Sequence, residues 1–137
     1  FLTFSFMRSV NKVLLMGHLA TQPEIKMTKN GHTVTTFSVA TNRDWASKEG
    51  DAKPTADFHK IVAWRKLGEA CGEYLKKGAG VYVEGYLSNH KFLDKEGKNR
   101  KYTEIVADVV NFISVRKNKD ADEITVVDIS AKQLVTA

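Results

Sequence analysis

Apolar residues recur with a period of two along most of this chain, and over residues 66–77 the period lengthens to that of a helix. Val10–Leu19 reads as a strand, with Val13, Leu15, Gly17 and Leu19 on one face and Leu14, Met16 and His18 on the other. Both faces carry apolar side chains, so one packs on the core and the other meets another element or another subunit. The turn dipeptide Asn30-Gly31 separates Glu24–Thr28 from a strand expected over Thr33–Ala40. Residues 41–57, with Gly50 and Pro54, read as a long loop leading into the strand Phe58–Trp64. Leu67, Ala70, Cys71, Tyr74 and Leu75 then form the stripe of an amphipathic helix, which assigns Cys71 and Tyr74 to the core. Lys76-Lys77-Gly78 supplies a basic last turn and a glycine stop. Val81–Ser88 and Tyr102–Ala107 are the remaining core strands, separated by a turn at residues 95–99. Val109–Val115 either extends the last strand or pairs elsewhere.

Three strands, a helix and two strands is the order of a five-stranded OB barrel, an all-β fold whose one helix lies between strands three and four. At 137 residues the chain accommodates one such domain and a tail. The formal charge is +5, and its distribution localises the surplus. Residues 1–115 hold 17 Lys and Arg against 12 Asp and Glu, whereas residues 116–137 hold four of each. The expected folded part is therefore the basic part, which favours an anionic partner. A single cysteine, Cys71, rules out an internal disulfide framework and fits a reducing compartment. No apolar run approaches the roughly 18 residues that span a bilayer. Residues 1–6, ahead of Met7, are expected to be a non-native or upstream extension. The domain is expected over 7–115 and a C-terminal tail over 116–137.

Side-chain chemistry narrows the anion. In Phe58–Trp64, alternation puts Phe58, Lys60, Val62 and Trp64 on one face and His59, Ile61 and Ala63 on the other. An outer strand face ordinarily shows small or polar groups to water. Large rings beside a lysine suit a flexible polyanion whose bases are unstacked, which describes single-stranded nucleic acid. Trp45 and Phe92 lie in neighbouring loops, each close to basic residues. Lys60 also argues against a dry face, because burying an unpaired ammonium is costly. Lys60, Arg65 and Lys91, which flank the aromatics, are the phosphate contacts expected first, followed by Lys98 and Arg100 on the turn.

Several runs together carry a family resemblance: Val10–Leu19 followed by Pro23-Glu24, then Asn30-Gly31, Phe37–Thr41 and Phe58–Val62. Glu73–Gly78, Val81–Gly85 and Tyr102-Thr103-Glu104 continue it in register. Over residues 7–115 the chain resembles the bacterial-type single-stranded DNA-binding proteins. That resemblance implies an OB fold and sequence-tolerant binding of single-stranded DNA during replication, recombination and repair. It implies a homotetramer built as a dimer of dimers, in a cytoplasmic, nucleoid-associated protein with no cofactor. The family's stacking aromatics fall on Trp45, Phe58, Trp64 and Phe92, and its subunit-contact histidine falls on His59. Members usually end in a flexible tail with an acidic-hydrophobic tip that docks replication and repair proteins. Here the chain ends Ser130–Ala137, without such a tip, while Asp120–Ile129 is acidic and apolar. That stretch reads as an atypical docking peptide, an extra strand or a disordered remnant.

Two other readings stay open: an RNA-binding OB module, and an adaptor whose barrel face meets protein. Catalysis has little support. His18, His32, His59 and His90 are scattered without metal-ligand spacing, and neither a phosphate-cradling glycine loop nor a nucleophile elbow is present.

Overall fold

The computed structural model describes residues 8–43, 55–117 and 122–128. Its elements run β1 (Val13–Leu19), β2 (Glu24–Met27), β3 (Thr33–Arg43), β4 (Thr55–Trp64), α1 (Arg65–Tyr74), β5 (Gly80–Leu93), β6 (Asn99–Lys117) and β7 (Asp122–Asp128). Strand β1 pairs with β5, β5 with β6, β6 with β4 and β4 with β3, and β1 also pairs with β3. These pairings close a circuit of five strands with α1 between the third and fourth, which is the OB topology expected. All are antiparallel except β4 with β6.

The period-two pattern fills the barrel. Val81 and Val83 of β5, Phe37 and Val39 of β3, Ile61 and Ala63 of β4, and Ile105, Ala107 and Val110 of β6 are buried together. From α1 and its exit, Ala70, Cys71 and Leu75 join them. Burial pushes the Cys71 thiol up to about 12, so at neutral pH it is a small apolar group. Thr35, fully buried, donates its hydroxyl to the Gly68 carbonyl at 2.6 Å and ties α1 onto β3. Gly68 also lets α1 lie close on β4, since a Cβ there would run into the Ala63 carbonyl.

The helix ends at Tyr74, three residues before the end expected at residue 77. Leu75 is extended and turns into the core, and the chain reverses at Gly78, whose φ is 92°. The Gly78 amide donates to Leu19 O and the Leu19 amide to Ala79 O, so the turn is stitched to β1 rather than to the helix. Tyr74 therefore stands at the helix end, 40% exposed, and not in the core as its place in the stripe suggested. On the far side of the barrel, β5 and β6 run well past their expected ends as a two-stranded arm, pairing through Leu93↔Asn99. Strand β6 also passes residue 115, and β7 pairs along residues 111–117.

Candidate nucleic-acid interface

Strand β4 presents Phe58, Lys60 and Trp64 to solvent, with Phe58 67% and Trp64 41% exposed. Val62 shares their side but is buried, a short side chain flanked by Thr36 on β3 and Val106 on β6. The platform on β4 is therefore two rings about 20 Å apart along the strand, with a lysine nearer the first. Too far apart to share a base, they mark two points along a path. Next to Trp64, Arg65 is exposed, with its backbone in the left-handed region at φ 57°. That conformation costs a non-glycine residue about 1–2 kcal/mol, and it swings the chain from β4 straight into α1.

Beside β4 lies the root of the β5–β6 arm. Its register sets His90 opposite Tyr102, Phe92 opposite Arg100 and Ser88 opposite Glu104. The His90 and Tyr102 rings stack at 5.0 Å, and Phe92 tilts against Tyr102 at 5.7 Å. Lys60 reaches across from β4, its Nζ 5.1 Å from the centre of the Tyr102 ring and 3.7 Å from Glu104 Oε2. Glu104, only 8% exposed, also holds His90 Nε2 at 2.7 Å. Phe58, Lys60, Trp64 and Phe92 thus belong to one continuous outer surface, as alternation along β4, β5 and β6 requires.

Other expected site residues stand elsewhere. Lys91 pairs with Lys101 and alternates to the face of the arm opposite Phe92. Lys98 is exposed at the turn, and Arg100, though on the same face as its partner Phe92, has its Nε held by Asp94 Oδ2 at 3.0 Å. His59 lies on the inner side of β4, where Nε2 meets the Thr41 hydroxyl at 2.9 Å. Trp45 lies outside the described residues. Tyr102, His90 and Glu104 were missed by sequence reasoning. Folding residues 88–104 as a hairpin about the 95–99 turn would have found them, because it sets His90 and Phe92 against Tyr102.

The tip of the arm is built around one carboxylate. Asp94 Oδ1 accepts from the amides of Glu96 and Lys98 at 2.9 and 2.8 Å, and its own amide donates to Lys98 O. Arg100 first, and the two amides after it, hold the Asp94 carboxyl below the usual carboxylate range. A depressed folded value means the tip is stabilised above the pH at which an unfolded aspartate ionises. That contribution is lost as pH falls through the folded value. The amide shifts of Glu96 and Lys98, followed by NMR through acid pH, are expected to titrate with a midpoint below about 3.9. A midpoint at or above that would contradict the arrangement.

A separate cavity of about 640 Å³ opens between β1, β3 and the ends of β5 and β6, near Met16, Ala40 and Phe112. Its lining includes no lysine or arginine, so it offers phosphate no cation. Among the described residues no group of three or more His, Cys, Asp or Glu could hold a metal ion. None of the described helices is long and apolar enough to cross a membrane.

Comparison with known proteins gives the family and the fold. Residues 10–113 match the model of the single-strand binding protein family. A single-stranded DNA-binding protein of Xylella fastidiosa is 40% identical over 111 residues, covering 81% of this chain and 68% of its own. The solved structure of the Plasmodium falciparum SSB complex with ssDNA superposes with a TM-score of 0.70 at 32% identity. It covers 79% of this chain and 98% of that one. Strand β7 lies beyond the matched segment.

Proposed function

The chain belongs to the single-strand binding protein family, and from that premise we propose that it binds single-stranded DNA with little regard for sequence. The observation that carries the proposal is the pair of exposed rings, Phe58 and Trp64, on a strand that also presents Lys60 and borders Phe92. Every base has a π-face, so rings read all sequences alike, each worth about 1–3 kcal/mol per stacked base. Phosphates take the cations. Lys60 and Arg65 stand beside the rings, while Lys98 and Arg100 are carried by the arm and Lys91 lies on its other face. Counterion release from those contacts makes affinity fall with salt. Duplex DNA hides its base faces in the stack and is excluded from such a surface. The role that follows is non-catalytic: the protein keeps strands open and covered during replication, recombination and repair.

Self-association belongs to the same reading. Leu14 and Met16 on the outer side of β1 are 57% and 66% exposed, and they give a second copy an apolar strand face to cover. A homotetramer, with His59 near a subunit contact, is the assembly we propose. The test of function is titration with oligo-dT, with duplex DNA and oligo-rU as competitors. Binding that resists both competitors and weakens with salt supports the proposal. Equal competition by duplex would sink it, and preference for oligo-rU would favour an RNA-binding module.

A further inference from the structure

Glu104 is a nearly buried carboxylate in the middle of a surface read here as taking a polyanion. A buried charge stripped of its partner costs several kcal/mol, so Glu104 must keep a cation close. It has two candidates. Lys60 Nζ lies 3.7 Å from Oε2, and His90 Nε2 lies 2.7 Å from Oε1. The shorter contact requires a proton on Nε2, which the neutral ring supplies in one tautomer. While His90 is neutral, Glu104 and Lys60 cancel each other at the centre of the surface.

Resting on the functional reading above, we propose that Glu104 is a positioning residue that couples single-strand binding to uptake of a proton by His90. A phosphate arriving beside Phe58 competes for Lys60 and draws its ammonium from Glu104. The carboxylate then has one partner within reach, and a second proton on the His90 ring, at Nδ1, restores the balance of charge. That proton comes from solvent. The approaching phosphate favours the imidazolium as well, since an opposite charge nearby stabilises the charged form. Imidazole is the side chain that changes charge most readily in the neutral range. The other groups facing His90 do not supply the charge. Tyr102 stacks on it, Ser88 Oγ lies 3.2 Å from Nε2, Lys91 is on the opposite face, and Arg100 is engaged by Asp94.

Calorimetric titration with oligo-dT at constant salt, in two buffers of different ionisation enthalpy, counts the protons directly. Uptake of about half a proton per bound strand is expected, with affinity falling about threefold for each unit of rising pH. His90→Asn is expected to remove both effects, and Glu104→Gln to reduce them without unfolding the barrel. His32→Asn, at an exposed loop away from the surface, is expected to leave them intact. Buffer-independent binding by the parent protein would overturn the coupling alone. So would proton uptake that persists in His90→Asn. Absence of binding at every pH would overturn the functional reading and the coupling together.

Discussion

Alanine at both Phe58 and Trp64 is expected to weaken binding of oligo-dT several hundredfold while leaving the barrel folded. Each ring contributes about 1–3 kcal/mol of stacking, and the two stand too far apart to share a base, so their losses nearly add. A combined loss of about 3–4 kcal/mol corresponds to that fold-change. Both rings lie outside the core cluster, so their removal leaves the barrel interior intact. Fluorescence anisotropy of a labelled oligomer measures the effect at moderate salt. The dependence on salt is expected to keep its slope, because no cation is removed. A loss below about tenfold would mean that the strand follows another path.

The second large effect is on the fold. Gly85 sits at the irregularity in the β5–β6 ladder, between the pairs Glu84↔Val109 and Gly85↔Ala107. A Cβ there would run into the Val106 carbonyl, a backbone atom that cannot rotate aside. Gly85→Ala forces β5 and β6 apart where the barrel wall passes into the arm. Overpacking of this kind costs about 3 kcal/mol, which lowers the melting temperature by about 10–20 °C. Thermal unfolding by circular dichroism checks it. A midpoint within a few degrees of the parent would show that the ladder absorbs the extra methyl.

How much of this was legible in the sequence depended on where burial leaves a trace. The barrel strands alternate because one face meets a common core. Val81, Val83, Ile61 and Phe37 could be placed from period alone. The helix was found for the same reason, and its early end was not, because Leu75 fits the stripe while its backbone is extended. The arm was the larger omission. Beyond Ser88 neither face of β5 reaches the core, so His90, Lys91, Phe92 and Leu93 show no pattern of core burial to read. Phe58 and Trp64 were legible as anomalies, rings where an outer face should be polar. Tyr102, His90 and Glu104 were not, since their meaning lies in cross-strand neighbours that the turn at 95–99 separates along the sequence. For Asp120–Ile129 three readings stood open, because the stretch mixes charge with apolar residues, and the extra strand is the one that pairing of Asp122–Asp128 with β6 bears out.

Emission from Trp64 during single-strand binding tests the central claim most directly. In a Trp45→Phe background Trp64 is the sole tryptophan of the chain, so every change in signal belongs to the ring on β4. Oligo-dT is expected to quench it strongly and saturably, with added salt reversing the effect and matched duplex producing none. Tight binding of oligo-dT by anisotropy with the emission of Trp64 unchanged would contradict stacking on this surface, and the strand would have to lie elsewhere on the barrel.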